Sequence, residues 1–410
     1  MEIQLDKSKK YLLAASYGPD SMALLSLLLK GGYRFEIAHV NYHVREPEAD
    51  EESAALFRYA EAHGLKFHRL DVDGEAFTGN FEAQARSVRY QFFSQLIIQN
   101  SELYAVLTAH HQDDLLETYL MQTKRQKYLS YYGIRAETII DKVRVIRPLL
   151  AFSKKQLLDY DLINKIPFAI DKSNFDLRYT RNYIRHKVVA KMTSKGKKEL
   201  IATINQLNLQ REQEFLFADG QLIDGHKYSI KVLLKLTEEQ KSGFLYFLLA
   251  KYKLEKKFSS KLMRQLENFI VSRKPNVRRC LLNDYYLAKE YDYVLIYRDS
   301  ELKPYAYTIE KPGEYHFPQL NVNFDSLDKR LQFPLSSYPL TIRSIRNNDF
   351  YYIGNKRKSV KRLFIDWKVP YHLRLQWPLF VDCKGKVIFI PRFRSQYSGE
   401  SNSTLDVLLN

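Results

Sequence analysis

Only two cysteines occur in the 410 residues, Cys280 and Cys383, and they lie 103 positions apart. No CxxC pair, zinc quartet or iron–sulfur framework can be built from them, and a reducing cytoplasm is the compartment that fits. Long apolar runs are missing too. The charge-free stretch 21–29 is about half of what a membrane span needs, and 244–250 is shorter still. Lys7, Lys9 and Lys10 precede the apolar 11–16 as in a signal peptide, but about six apolar residues fall below the usual range and run into a glycine turn. The third shortage is acid: 47 Asp and Glu face 64 Lys and Arg, leaving a formal charge of +17. That excess favours a polyanionic partner such as nucleic acid, although a soluble basic enzyme carries it equally well. A hydrophobic content of 45% with 14% aromatics excludes a disordered polybasic chain, and the length predicts two or three domains.

From residue 11 to 150, short apolar segments alternate with longer amphipathic ones. Strands are predicted over 11–17, 35–42, 66–72, 105–110 and 143–150, and helices over 20–30, 48–62, 81–99 and 113–123. Such alternation specifies an α/β fold with a parallel sheet covered on both faces, whose ligands sit at the carboxyl ends of the strands. A helix over 181–191 follows, and 197–289 reads as mostly helical. Five of the 13 prolines fall in 304–339 and mark a connection. Beyond them a small mixed α/β unit is expected, with strands at 340–346, 379–382 and 387–391 and helical turns at 360–367 and 371–377. The boundaries are 1–192 for the first domain, 197–300 for the helical middle, 301–338 for the connection and 339–410 for the last.

Each strand end carries a polar cluster. After the first come Ser16, Tyr17, Gly18, Pro19, Asp20 and Ser21, then an apolar helix. A strand–turn–helix offers backbone N–H groups and a positive dipole end to an anion, and Asp20 can hold a divalent cation against phosphate. An ordinary βα turn with helix-capping Ser and Asp has the same residues. The second strand ends at His39, Val40 and Asn41, beside the first in a doubly wound sheet. The fourth ends in His110-His111-Gln112-Asp113-Asp114, with Glu117 three residues after Asp114 and on the same helical face. These acids and a histidine suit Mg²⁺, an ammonium group or proton transfer; acidic capping of a helix is the plainer account. Arg178, Arg181 and Arg185 share a face if helical, as do Arg86 and Arg89, and suit phosphate or carboxylate unless they are only a solvated surface.

Together, the Ser-Gly-Asp loop, the His39-Val40-Asn41 strand end, the Glu82-x-x-Ala85-Arg86-x-x-Arg89-Tyr90 helix, the Ala109-His110-His111-x-Asp113-Asp114-x-x-Glu117-Thr118 segment and the Arg178-Tyr179-Thr180-Arg181-Asn182-x-Ile184-Arg185-His186 segment resemble the bacterial tRNA(Ile)-lysidine synthetases. These belong to the N-type ATP pyrophosphatase, or PP-loop, superfamily, with an adenine nucleotide alpha hydrolase-like fold. The stretch 359–370, continuing through Trp377-Pro378, resembles that family's C-terminal domain, and the likeness is weakest over 195–330. Three positions stand out. Tyr17 occupies a position that is glycine in the family, where φ > 0 would cost a tyrosine roughly 1–2 kcal/mol. Pro19 occupies the loop's variable position, and Leu115 replaces a polar residue after the paired aspartates.

The resemblance implies ATP-dependent ligation of free L-lysine to C2 of the wobble cytidine in a tRNA(Ile) with anticodon CAU. ATP and Mg²⁺ are the implied cofactors. Ser16, Gly18, Asp20 and Ser21, with the loop residues Tyr17 and Pro19, would cradle phosphates; His39, Val40 and Asn41 would line the adenine pocket, and Arg86 would bind the nucleotide. Asp20 and Asp114 are the metal candidates. Asp114 and Glu117 would grip the lysine ammonium groups, Arg181 or Arg185 its carboxylate or the developing phosphate charge, and His110 or Asp114 would accept the proton. For tRNA contacts the candidates are Arg343, Arg346, Lys356, Arg357, Lys358, Lys361 and Arg362, in a 60-residue stretch (341–400) where 13 Lys and Arg face four acids. No membrane partner is expected, and a homodimer is one option for assembly. The rivals are another PP-loop tRNA enzyme such as a 2-thiocytidine synthetase, disfavoured by the missing CxxC pairs, and a non-catalytic tRNA-binding paralogue.

Overall fold

The computed structural model describes residues 1–44, 47–74, 76–124, 128–170, 180–223, 226–254, 259–318, 320–324, 333–391 and 408–409. They group into two units, Met1–Gln213 and Glu214–Asn410. In the first, the alternating segments become β1 (Lys10–Ala14), α1 (Pro19–Lys30), β2 (Arg34–Asn41), α2 (Glu48–Ala62), β3 (Phe67–Asp71), α3 (Phe81–Gln99), β4 (Leu103–Thr108) and α4 (Gln112–Thr123). A hairpin follows, β5 (Glu137–Ile140) and β6 (Val143–Ile146), then α5 (Lys154–Ile163), α6 (Thr180–Tyr183) and α7 (Ser194–Gly220), whose last residues belong to the second unit.

Sheet order is β3-β2-β1-β4-β6-β5, parallel except for the β5–β6 hairpin. Period-2 alternation along β1 sends Tyr11 and Leu13 to one face, against Met22, Leu24, Leu25 and Leu28 of α1. Leu12 points to the other face, among Tyr90, Phe93 and Leu96 of α3. Each of these buried side chains contributes about 1.5–3 kcal/mol, which is why a strand so short is held in place. The chain runs outward from β1 to β3 and returns on the other side at β4, so the order reverses between β1 and β4. A crevice opens at the carboxyl ends of strands at such a reversal.

Local chemistry fixes the helix starts. Pro19 stands in the first turn of α1 after Gly18, Asn80 accepts the N–H of Ala83 before α3, and Ser153 and Gln156 form a reciprocal capping box on α5. The segment 181–191, expected as one helix, is α6 followed by a π turn (Ile184–Val188) and a 3-10 turn (Val189–Lys191). β5 was not anticipated.

The second unit contains β7 (Leu222–Ile223), β8 (Lys227–Ser229), α8 (Ile230–Leu233), α9 (Glu238–Lys251), α10 (Ser260–Val271), β9 (Asn276–Leu282), β10 (Tyr285–Glu290) and β11 (Tyr293–Arg298). The helices match the expectation, but 276–298 is an antiparallel meander in a sheet ordered β7-β8-β11-β10-β9. Asn283 (φ 47°) and Asp284 (φ 70°) supply two consecutive left-handed residues, the twist a tight hairpin needs. The proline-marked stretch contributes strands β12 (Ala306–Ile309), β13 (Glu314–His316) and β14 (Leu320–Asn323). There follow β15 (Leu340–Arg343), β16 (Phe350–Ile353), β17 (Lys356–Ser359), α11 (Val360–Asp366), α12 (Tyr371–Arg374), β18 (Leu379–Val381), β19 (Val387–Phe389) and β20 (Leu408–Leu409). Because β12 pairs with β15, the stretch is part of a folded sheet as well as a connection. No helix among the described residues is long and apolar enough to cross a membrane.

Candidate active site

The loop after β1 is built around one hydroxyl. Ser21 accepts the N–H of Ser16 at 3.2 Å and donates to the carbonyl of Gly18 at 2.9 Å, closing the turn from inside. The left-handed residue is Tyr17, φ 58°, whereas Gly18 is extended at φ −75° and could accept a Cβ 3.5 Å from Ser16 Oγ. Tyr17 is therefore strained in the way its sequence position suggested. Its half-buried ring packs on the core beneath the loop, and its carbonyl accepts the N–H of Ala169 at 3.0 Å. Replacing it separates strain from packing. Tyr17→Ala keeps the left-handed strain and loses the ring, while Tyr17→Gly loses the ring and the strain together. Urea unfolding should show the glycine variant more stable than the alanine variant by about 1 kcal/mol, the reverse of the usual order, with ATP affinity in Tyr17→Gly no weaker than in the parent.

Asp20, in the first turn of α1, accepts two bonds from Lys154 Nζ, 2.7 and 2.6 Å. Lys154 opens α5, which packs against α1. His111, buried at the start of α4, places Nε2 3.6 Å from Asp20 and 3.4 Å from Asp114, bridging the two chain ends that flank the crevice. Asp114 also accepts the backbone N–H of His111 at 3.0 Å. Burial works against its charge, but His111, Arg181 and His110 outweigh that and hold its carboxyl at about 2.

Glu117 is fully buried, and its carboxylate is forked by two arginines. Arg181 Nε donates to it at 2.9 Å, and Arg185 donates through Nε at 2.7 Å and Nη2 at 3.2 Å. The same guanidiniums reach Asp114 at 2.7 and 3.3 Å. Asp113 is held apart by Lys197, both oxygens at 3.0 Å. His110 bonds Thr108 Oγ1 through Nδ1 at 2.9 Å. Burial first, and then the charges of Arg147, Arg181 and Arg86 against the opposing Asp114, bring it down to about 4, so the ring is neutral near pH 7.

His39 and Asn41 are buried and tied to the fold. His39 Nδ1–H donates to the carbonyl of Ala15 at 2.9 Å and leaves Nε2 buried without a partner; burial lowers its pKa. Asn41 donates to Asp50 at 2.6 Å and accepts the N–H of His43 at 3.2 Å. Val40 is half-buried. Arg86 is exposed and lies over the ring of Tyr90, 4.9 Å from its centroid. Arg178 and 171–174 lie outside the described residues.

The donor set can be tested against the implied ion. Mg²⁺ takes one or two carboxylates and completes its shell with water and phosphate oxygens. Asp20 and Asp114 reach the same imidazole nitrogen, so a pair of the right kind is present. Among the described residues no group of three or more metal-ligating side chains exists.

In the second unit, Arg346 ahead of β16, Lys356, Arg357 and Lys358 on β17, and Lys361 and Arg362 on α11 are all exposed. Arg357 lies on the ring of Phe350 at 3.5 Å, and Arg362 pairs with Asp366 at 3.0 Å. Arg343 departs from the expected set. It is 5% exposed and spends its guanidinium on both oxygens of Asp349, 2.8 and 2.7 Å, so it braces the interior instead of presenting its charge at the surface.

Sequence reasoning missed His111, Lys154 and Lys197. His111 was visible only as half of a His-His pair, with nothing to say which ring turns inward, and the lysines enter from distant segments.

Residues 2–192 match the model of a PP-loop domain, and 340–406 match that of a TilS substrate C-terminal domain. The chain is 30% identical over 392 residues to the tRNA(Ile)-lysidine synthase of Mycoplasma mycoides subsp. mycoides, covering 94% of this chain and 97% of that one. It is 28% identical over 398 residues to that of Exiguobacterium sibiricum, with 95% and 94% covered. With the Bacillus licheniformis tRNA(Ile)-lysidine synthase the identity is 30% over 448 residues, covering 97% and 94%.

Proposed function

The chain belongs to the tRNA(Ile)-lysidine synthase family and is a PP-loop enzyme that modifies tRNA, and we propose that it joins L-lysine to C2 of the wobble cytidine in a tRNA(Ile) with anticodon CAU. ATP is the energy source. The product would decode AUA instead of AUG and carry isoleucine instead of methionine identity. In this reading 1–192 is the catalytic domain, while 197–300 and 339–410 hold the RNA through exposed cations such as Lys356, Arg357 and Lys361.

C2 of cytosine carries an oxygen that does not leave by itself. Attack of that oxygen on the α-phosphorus of ATP expels pyrophosphate and leaves an adenylated cytidine; the ε-amine of lysine then forms the C–N bond as AMP departs. The loop from Ser16 to Ser21 is the phosphate cradle, with His39, Val40 and Asn41 shaping the floor beside it. Mg²⁺, held by Asp20 and Asp114, would offset phosphate charge.

One observation carries the reading: a buried Asp114–Glu117 pair clasped by Arg181 and Arg185, at the sheet's reversal and bridged through His111 to the phosphate loop. Two carboxylates suit an amino acid's ammonium groups and two guanidiniums suit its carboxylate or the phosphoryl charge. The incoming lysine replaces part of this internal ion pairing. Its amine, with an ordinary pKa near 10.4, must shed a proton. Asp114, held near 2 and already bonded to Arg181, is the weaker acceptor; His110, neutral, is the stronger.

The test is to incubate the purified chain with ATP, Mg²⁺, labelled lysine and the CAU transcript. Label should appear on the RNA, and AMP release should require lysine and tRNA together. An unlabelled transcript, alongside a control enzyme that labels it, would sink the reading.

A further inference from the structure

Arg147 has no part in the chemistry above, yet its surroundings are those of an anion site. It follows β6 directly. The parallel register sets Val145 against Val106 and Ile146 against Leu107, so Arg147 stands level with Thr108 at the edge that carries His110. Its side chain is 6% exposed. Nη1 donates to the carbonyl of Arg135 at 2.8 Å and the Tyr90 side chain is a second hydrogen-bond partner of the guanidinium, but Nε is buried with no hydrogen-bond partner. Among the described residues no carboxylate pairs with it; the other charge that reaches it is that of Arg86, and His110 lies within the field of both arginines and of Arg181.

A buried guanidinium is stable when a carboxylate or phosphate faces it, and neutral partners such as the Arg135 carbonyl and Tyr90 offset only part of its burial cost. Here the cost is kept, at a strand end, on the wall where Arg86 lies over Tyr90 and Tyr90 reaches Arg147. Burial, the partnerless Nε and the converging cations together describe a seat for an oxyanion that comes with a substrate.

We propose that Arg147, with Arg86, forms a phosphoryl-oxygen subsite beside His110 at the carboxyl ends of β4 and β6. The inference rests on the ATP- and tRNA-dependent reading above and adds a residue to it. The phosphoryl oxygen belongs either to the nucleotide or to the RNA backbone, and both present acceptor oxygens that suit arginine's planar fork.

The experiment uses the full chain with Arg147→Gln and Arg147→Lys. Affinity is measured in two arms, for ATP with Mg²⁺ by calorimetry and for the CAU transcript by filter binding over a salt series. Arg147→Gln, which removes the charge, should weaken one arm by about tenfold or more, and Arg147→Lys, which keeps the charge but loses the fork, should fall between the parent and Arg147→Gln. The weakened arm identifies the source of the phosphate. Unchanged affinity in both arms of Arg147→Gln overturns the proposal, as does a lysine variant as weak as the glutamine one. Because Arg147 also bonds the Arg135 carbonyl, Arg147→Lys carries the test if Arg147→Gln fails to fold: a folded lysine variant with parental affinity in both arms overturns the proposal. A parent chain that binds neither ATP nor RNA would bring down the functional reading itself, and this subsite with it.

Discussion

Glu117→Gln is expected to lower single-turnover transfer of lysine to tRNA by about a thousandfold and to destabilise the fold by about 3 kcal/mol. The carboxylate is fully buried and receives three bonds from two guanidiniums. Glutamine has nearly the same shape, so packing is kept, but one oxygen becomes an NH₂ that faces an arginine N–H. Asp114 would then be the sole carboxylate facing Arg181 and Arg185. Breaking a buried pair from one side costs more than the pair contributes, because the remaining charges stay behind. In the proposed reaction the same change removes half of the ammonium clasp and lets both arginines shift, and a displacement of about 1 Å costs about a hundredfold by itself. Asp113→Asn is the comparison. Its partner is Lys197, outside the clasp, so transfer should fall far less, by about tenfold at most. Urea unfolding and labelled-lysine transfer at saturating ATP measure the two effects separately. Near-parental transfer by a folded Glu117→Gln protein would mean that the clasp only holds α4 to the segment after α6.

The parallel sheet was legible because its strands are short apolar runs and its helices carry caps and stripes that belong to no other local structure. Leu12 and Leu13 are buried on opposite faces, as period two requires, and Asp114 and Glu117 share a face, as helical spacing requires. What escaped notice depends on partners far away in sequence. β5 is only four residues, and its turn uses Asp141 and Lys142 at positive φ instead of the Asn-Gly that announces such a hairpin. The strands of 276–298 carry many charges, so their burial pattern is set by the sheet they join. Arg343 differs from its exposed neighbours only through Asp349, six residues on, which closes on it in the fold. Asp20 stands in the sequence as a candidate cation ligand, and nothing near it betrays Lys154, 134 positions away. Residue types at the site were readable; who pairs with whom was decided by the fold.

Asp161 is the group for which that difference has the largest consequence for stability. It lies in the last turn of α5, fully buried beside Leu157 and Tyr160, with neither carboxyl oxygen hydrogen-bonded. Burial, and then the charge of Asp20, push its carboxyl up to about 7 against the pull of Lys154. In the unfolded chain it titrates near 3.9. A folded-state pKa above the unfolded one means that the native protein holds this proton longer. The penalty is therefore absent below about pH 4, grows as the pH rises, and is complete above about pH 7, where it amounts to a few kcal/mol. Asp161→Asn removes the titration and keeps the shape. By urea unfolding it should be more stable than the parent by about 2–4 kcal/mol at pH 8 and nearly equal at pH 4. A variant equal to or weaker than the parent at pH 8 would show that the carboxyl is not the burden its burial implies. α5 carries Lys154 at its start and Asp161 near its end, with the phosphate loop's Asp20 in the field of both. With Lys154 bonded to Asp20, an ionised Asp161 repels that carboxylate across the α1–α5 contact. The gain in stability should then come with tighter retention of the Lys154–Asp20 pair, and Asp20 would be harder to free for a cation and phosphate. ATP binding measured on the same variant at pH 8 should be weaker even as the fold becomes stronger.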